Sequence, residues 1–184
     1  MLKPMIMISS MIDGDRIKGF SPVTTEDAQI LILGSMPGVK SLEADEYYAH
    51  PRNAFWPVMA VLFGVQGFDN YQEKTALLRE NRIALWDVLQ HCTRPGSLDS
   101  AIKNDSIVTN DFDVFLRRHQ QIHHIFFNGG KAETEFLKRV QPDLPQEIQA
   151  RLSLTRLPST SPAMASLNVA QKTAAWCCVK KALL

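Results

Sequence analysis

Short runs of apolar and β-branched residues alternate along this chain with longer stretches in which apolar residues recur at helical spacing. The short runs span residues 29–33, 83–89, 123–127 and 152–157. Runs of this length are typical of strands. The pattern therefore predicts four strands with helices between them.

Four of the longer stretches carry an apolar face at helical spacing. Their apolar positions are Phe55, Met59, Leu62 and Phe63; Phe112, Phe115, Leu116 and His119; Ala132, Phe136, Leu137 and Val140; and Val169, Trp176 and Leu183. We expect Asn110 or Asp111 to cap the second helix, because both side chains accept hydrogen bonds from backbone N–H groups.

Strands that alternate with helices favour an α/β fold of three layers, α/β/α, around a central four-stranded, mainly parallel sheet with right-handed crossovers. Ligands in such sheets bind beyond the carboxyl ends of the strands. The loops that follow the predicted strands begin at Gly34, Asp87, Asn128 and Pro158. We therefore expect these four loops to converge on one site.

Composition excludes several classes of protein. The chain has 184 residues, of which 45% are hydrophobic and 21% charged, so disordered, collagen-like and coiled-coil chains are excluded and one domain over residues 1–184 is expected. A net charge of +1 gives no overall field to attract nucleic acid, so such a partner must be inferred from local residues. No apolar run is longer than that of residues 58–63, and no membrane span is expected.

Cysteine usage and the N-terminus bear on cellular location. No disulfide framework and no C-x-x-C metal site is formed by Cys92, Cys177 and Cys178, so we expect a reduced, cytoplasmic protein without metal or cofactor. Asp13 and Asp15 stand where a signal peptide would have its cleavage site, and none is expected. Four of the seven methionines lie in the first eleven residues, so residues 1–20 are expected to be flexible or to include a misassigned start.

The loop after the first predicted strand carries candidate binding residues. Gly34, Pro37 and Gly38 permit a tight turn whose backbone N–H groups can approach a ligand, although alone such a turn is more often a plain connection. A group of aromatic, cationic and amide side chains follows within ten residues, and this mixture suits stacking on a planar base. Its members are Tyr47, Tyr48, His50, Arg52, Asn53, Phe55 and Trp56, of which the last two are expected to anchor the core.

The loop after the fourth predicted strand is rich in hydroxyl groups. Ser159, Thr160 and Ser161 lie between two prolines, Pro158 and Pro162. Such a turn can bind a phosphate through hydroxyl and backbone groups, although alone it is more often the start of the following helix. Met164 is an apolar residue at the tip of this polar loop.

Together these two loops resemble the uracil-DNA glycosylase superfamily over about residues 28–178. The segment GSMPG at residues 34–38 stands in the place of its first motif, and PSTSPAM at residues 158–164 in that of its second. The segment YAHPRNAFW at residues 48–56 is similar to the mismatch-specific uracil/thymine glycosylases. The combined pattern is most similar to the hypoxanthine-DNA (deoxyinosine) glycosylase branch.

Two positions depart from the uracil-processing relatives. Met36 stands where those enzymes place an Asp or Asn that serves the attacking water, and Leu157 stands where several branches place His or Asn. In the branch that this chain resembles, a downstream asparagine takes the catalytic role, and it maps to Asn53. The resemblance therefore implies a DNA repair glycosylase that flips a deaminated base, preferably hypoxanthine, and hydrolyses its N-glycosidic bond to leave an abasic site.

The resemblance also implies a role for each site residue. Asn53 is expected to be catalytic, with Met36, Tyr48, His50 and Asp87 binding the base. The expected DNA-binding residues are Gly34, Ser35, Pro37, Gly38, Arg52, Ser159, Thr160, Ser161, Pro162 and Met164. Tyr48 is the expected stacking platform, Met164 the expected wedge between bases, and Asp87 the expected acceptor of a purine N1–H.

The expected partner is DNA that contains a deaminated base, bound by a monomer in the cytoplasm or, in a prokaryote, at the nucleoid. Two alternatives remain from the sequence. The first is a mismatch-specific uracil/thymine-DNA glycosylase. The second is a catalytically silent nucleic-acid-binding module of the same fold, which the apolar Met36 and the near-neutral charge favour.

Overall fold

A computed structural model of the chain describes residues 16–184. The strands are β1 (Arg16–Lys18), β2 (Ile30–Gly34), β3 (Ile83–Asp87), β4 (Leu89–Thr93), β5 (Val108–Thr109), β6 (His124–Asn128) and β7 (Ser153–Leu157). The helices are α1 (Val39–Ala44), α2 (Phe55–Phe63), α3 (Tyr71–Glu80), α4 (Phe112–Arg118), α5 (Gly130–Arg139), α6 (Gln146–Arg151) and α7 (Val169–Lys181). Short 3₁₀ turns lie at Asp99–Ala101, Asn104–Ser106 and Gln141–Asp143.

The central sheet has four strands in the order β3-β2-β6-β7, and every neighbouring pair is parallel. One of its two inner strands, β2, is covered on both faces. Ile30 and Ile32 contribute to one hydrophobic cluster, whereas Leu31 and Leu33 contribute to the other. An unbroken apolar run is what a strand without a solvent face requires. The predicted parallel sheet is therefore confirmed.

Helices cover both faces of this sheet. Phe55 of α2 and Trp176 of α7 pack with Ile30 and Ile32 on one face. Phe115 of α4, together with residues of α5 and α6, packs on the other face. The predicted three-layer α/β/α arrangement is therefore confirmed.

The strand predicted over residues 83–89 extends two residues too far. β3 ends at Asp87, and the next N–H, that of Val88, donates to the Gly34 carbonyl at 2.9 Å. The chain then leaves the central sheet, and β4 pairs antiparallel with β1 and β5 in a second, three-stranded sheet. Val88 and Leu89 are apolar because they are buried on either side of this turn.

The end of the segment over residues 1–20, which is expected to be flexible or to include a misassigned start, forms strand β1 in the part that the structure describes. β1 pairs with β4 in the register Arg16 to Thr93 and Lys18 to His91. The expectations about a signal peptide and an internal start concern residues 1–15, which lie outside the described residues.

Helix boundaries follow local capping. Asp111 caps α4 by accepting a hydrogen bond from the Val114 N–H at 3.0 Å, as predicted for one of the two candidates. The other candidate, Asn110, donates its side-chain N–H to the Asp87 carbonyl at 2.8 Å. The predicted apolar repeat in α7 is wrong at Val169, which is 43% exposed while Trp176 is fully buried.

Candidate active site

A cavity of about 580 Å³ opens beyond the carboxyl ends of the central strands. Loops after β2, β3, β6 and β7 all contribute to its lining, so the predicted convergence of these loops is confirmed. All but one of the predicted site residues lie in this lining. They are Gly34, Ser35, Met36, Pro37, Gly38, Tyr48, His50, Arg52, Asn53, Asp87, Ser159, Ser161, Pro162 and Met164.

Thr160 is the exception, and its predicted contact with DNA is wrong. The residue is 0% exposed, and its backbone N–H and hydroxyl pair with the two side-chain atoms of Asn128, both at 2.8 Å. Its carbonyl accepts the Ala54 N–H at 2.9 Å. Thr160 therefore joins the loop after β7 to the end of β6 and to the start of α2.

The Ser35 hydroxyl is also committed within the protein. It donates to the Asp99 carboxylate, with both oxygens at 2.8 Å, and the predicted contact of Ser35 with DNA, which is assigned to the backbone N–H groups of this loop, stays a prediction. The buried guanidinium of Arg94 donates to the Pro37 carbonyl and lies 3.9 Å from Asp99. The sequence analysis missed both charged residues, because no motif marks them and only the folded chain brings them to the first loop.

Tyr48 lies in the cavity with its ring stacked on Phe55, at 4.2 Å between ring centroids. Its backbone has a φ of 56°, a conformation that a tyrosine rarely adopts. The hydroxyl is buried without a hydrogen-bond partner among the described residues. Burial raises the pKa of this hydroxyl far above its ordinary value, and the charge of Asp87 adds to the effect.

Asp87 ends β3 and is 3% exposed. Its Oδ2 atom is buried and has no hydrogen-bond partner among residues 16–184. Burial is the main reason why the pKa of Asp87 is raised to about 8; the Asp99 charge acts in the same direction and the Arg94 charge opposes both. A buried carboxylate without donors is strongly disfavoured, so the carboxyl is neutral near pH 7.

Gly34 makes room for both of these polar groups. A Cβ atom at this position would lie only 2.4 Å from Asp87 Oδ1 and 3.0 Å from the Tyr48 hydroxyl. Any side chain at residue 34 would therefore displace at least one of them. The glycine of the first loop serves this close approach.

Asn53 and His50 are both oriented by backbone N–H groups. Asn53 Oδ1 accepts the Phe55 N–H at 3.0 Å at the start of α2, which leaves the side-chain Nδ2 group as a donor at the cavity. His50 Nδ1 accepts the Arg52 N–H at 3.1 Å, so the proton of a neutral His50 ring lies on Nε2. Two side-chain N–H donors thus reach the same cavity.

The remaining predicted residues differ in exposure. Met36 lines the cavity but is only 6% exposed, because it also belongs to the hydrophobic core. Arg52 is exposed, and Met164 is 37% exposed. Lys172, a residue that the sequence analysis missed, is 4% exposed and donates from Nζ to the Met164 carbonyl at 3.0 Å. This contact secures the loop that carries Met164.

The side chains and helices of the described residues also bear on metal and membrane binding. Within residues 16–184, His, Cys, Asp and Glu side chains form no group of three that could hold a metal ion. None of the helices in the same range combines the length and apolar character that crossing a bilayer requires.

Comparison with known proteins gives consistent matches. The model of the family described as "Uracil DNA glycosylase superfamily" matches residues 21–180. A hypoxanthine DNA glycosylase of Methanosarcina barkeri is 38% identical over 117 residues, which are 62% of this chain and 72% of that protein. One from Methanosarcina acetivorans is 40% identical over 116 residues, with the same coverage of 62% and 72%.

A solved structure matches over most of the fold. It is the solution NMR structure of a protein from Methanosarcina acetivorans that is described as a "putative Uracil DNA glycosylase". The TM-score is 0.71 at 31% sequence identity, and the match covers 90% of this chain and 99% of the other.

Gly129, after β6, provides a test of how the loops are packed. Its φ of 100° is rare for other residues, and a Cβ atom would lie 2.9 Å from Ser159 Cβ. We expect Gly129→Ala to lower the free energy of unfolding by about 1–3 kcal/mol, measured by urea denaturation. Gly67→Ala is the control, because nothing lies within 4 Å of a Cβ there. Equal stability of the two variants would contradict the packing described here.

Proposed function

The chain belongs to the uracil DNA glycosylase superfamily and is a DNA glycosylase for deaminated bases, and we propose that hypoxanthine is its preferred base. One observation carries the binding of such a base in the cavity, and the apolar Met36 carries the preference for hypoxanthine. Two buried polar atoms that have no hydrogen-bond partner among residues 16–184, Asp87 Oδ2 and the Tyr48 hydroxyl, lie at a cavity of about 580 Å³, which falls in the range of small-ligand sites. A base in this cavity would supply the missing hydrogen bonds.

The reaction sets three tasks for the protein. The target base must leave the duplex stack, because the neighbouring bases block access to its sugar. As the bond between C1′ and the base breaks, its electron pair goes to the base and the sugar becomes oxocarbenium-like. Water then adds its oxygen to C1′ and gives up one proton, and the departing base takes up one proton. The site must therefore hold the base, stabilise negative charge on it and grip the backbone.

Asp87 would read the edge of the base. As a neutral acid it has one O–H donor and one carbonyl acceptor. These match the O6 acceptor and the N1–H donor of hypoxanthine in a pair of parallel hydrogen bonds. An ionised Asp87 would still accept the N1–H but would repel O6. Uracil presents a similar N–H and C=O edge, so Asp87 favours deaminated bases as a class.

Asn53 would act on the departing base. Because its Oδ1 is committed to the Phe55 N–H, its free Nδ2 group is suited to donate to the base and less suited to activate water as an acceptor. A donor aimed at developing negative charge is an effective form of catalysis. Met36 cannot activate water either, and this departure from the uracil enzymes supports a preference for hypoxanthine over uracil.

The DNA backbone would be held mainly by uncharged groups. Ser159, Ser161, Met36, Gly38 and Arg52 all line the cavity. The Ser159 and Ser161 hydroxyls accept the N–H groups of Ser161 and Ala163, which leaves their O–H protons to donate to a phosphate. Met164 would fill the space that the flipped base leaves. We further propose a single domain that acts as a monomer in the cytoplasm, or at the nucleoid of a prokaryote.

A base-release assay tests the proposal. Duplex oligonucleotides with one hypoxanthine, uracil or xanthine are incubated with the protein, treated with alkali and examined for strand breaks. We expect release of hypoxanthine to be the fastest. Uracil release that is equally fast would support the mismatch-specific alternative. Binding of these duplexes without release of any base would support the silent binding module.

Asn53 is tested by two variants that separate its roles. Asn53→Ala removes both the donor and the oxygen that accepts the Phe55 N–H, whereas Asn53→Asp keeps an oxygen for the Phe55 N–H and loses the donor. We expect both to reduce the single-turnover rate by about 10²–10³-fold, the usual effect of losing one well-placed donor. Only the alanine variant should also lose thermal stability. A wild-type single-turnover rate in Asn53→Asp would show that Asn53 only accepts the Phe55 N–H at the start of α2.

Asp87 predicts a specific pH dependence. The folded-state pKa of this acid is raised to about 8, so the neutral donor is present below that pH and is lost above it. We expect the second-order rate on hypoxanthine DNA to fall about tenfold per pH unit above about 8. Asp87→Asn retains one donor and one acceptor at every pH, so its decline should begin at higher pH.

The Asp87→Asn variant also controls for ionisation of the base itself. That ionisation would lower the rates of the wild type and of the variant in the same pH range. Coincident pH profiles of wild type and Asp87→Asn would rule out reading by the neutral acid. Melting temperatures at each pH would separate loss of activity from unfolding.

A further inference from the structure

A second loop borders the mouth of the cavity and has no role in the function described so far. It runs from the end of β4 to the 3₁₀ turn at Asp99–Ala101, and Leu98 lies in it. Leu98 lines the cavity and is 59% exposed, more than Met164 at 37%. The loop of Met164 follows β7, one edge strand of the central sheet, whereas the loop of Leu98 follows β4 of the second sheet, which the chain enters from β3, the other edge strand of the central sheet.

The loop around Leu98 is firmly held by the rest of the site. Arg94, only 2% exposed, donates to the Gly96 carbonyl at 2.9 Å. The Ser97 hydroxyl accepts the Val39 N–H at 2.9 Å, and Asp99 accepts the Ser35 hydroxyl. The residues on both sides of Leu98 are therefore tied to the first loop. Leu98 itself is presented to solvent from a rigid frame.

Such a frame distinguishes Leu98 from an ordinary exposed leucine. Isolated apolar side chains are common on protein surfaces and need no explanation. Here three side-chain hydrogen bonds, one of them donated by the buried Arg94, hold the segment at the opening of the cavity. A nucleotide must pass through this opening. Arg52 lines the same cavity, as does Lys40, whose Nζ donates to Glu43 at 2.8 Å. The occupant of this mouth is the nucleic acid that the proposed function requires.

We propose that Leu98 is a second apolar wedge that packs against the bases of duplex DNA, on the side of the mouth opposite Met164. The inference rests on the proposed function. Apolar side chains inserted at base steps keep DNA kinked and help to hold a nucleotide outside the stack. With Met164 filling the vacated space, Leu98 contacts the complementary strand. Its contribution therefore depends on that strand being present.

The test compares duplex and single-stranded DNA of the same sequence, each with one hypoxanthine. Leu98→Ala should lower the single-turnover rate about tenfold on the duplex, since the wedge contact is lost, and leave the single-stranded rate within about twofold. Val114→Ala is the matched control, because Val114 is 63% exposed and lies on α4 outside this cavity. It should change neither rate.

Equal losses on both substrates would show that Leu98 shapes the base pocket, and unchanged rates would show that it makes no contact with DNA; either result overturns the proposal. A binding measurement works without catalysis. Fluorescence anisotropy with DNA carrying a stable abasic-site analogue should show that Leu98→Ala weakens duplex binding selectively. If the wild type releases no base, the proposed function fails, and this binding ratio still decides the role of Leu98.

Discussion

Two hydrogen bonds between the Asn128 side chain and Thr160 connect the end of β6 with the loop after β7. Thr160 is fully buried, so loss of either partner would leave polar groups unsatisfied away from water, at a cost of about 1–3 kcal/mol. The Thr160 carbonyl also accepts the Ala54 N–H, next to Asn53. Three segments that are distant in sequence thus share one anchor, and the geometry of the cavity depends on it.

The contrast between paired and unpaired groups then identifies the binding surface. Around the cavity, Asn128 is hydrogen-bonded to Thr160, and Ser35 is hydrogen-bonded to Asp99. In contrast, Asp87 Oδ2 and the Tyr48 hydroxyl have no hydrogen-bond partner among the described residues. Buried polar groups are normally satisfied, so the exceptions point to a ligand. The left-handed backbone of Tyr48 indicates strain at the same place, and the surrounding hydrogen bonds hold that strain in position.

The sequence was sufficient for the layers and for the place of the site, but not for its inner contacts. The apolar run of β2 could be recognised because a strand covered on both faces leaves no polar alternation. The end of the strand predicted over residues 83–89 was placed too late. Val88 and Leu89 are apolar and buried whether the chain continues one strand or turns into a second strand, so their apolar character does not mark the boundary. From the sequence, the three adjacent hydroxyl residues in the loop after β7 seemed equivalent. Only the fold turns Thr160 inward while Ser159 and Ser161 line the cavity.

Electrostatics explains how an acid can serve in this reaction. The chain carries a net charge of only +1, and Asp87 and Asp99 both line a cavity that would receive a polyanion. An ionised Asp87 would oppose the negative charge that develops on the departing base. Burial removes this conflict, because it holds the carboxyl in its neutral form, and a neutral acid can donate a hydrogen bond to the base carbonyl as charge accumulates there. The same desolvation that makes Asp87 costly to the fold therefore makes it compatible with base release.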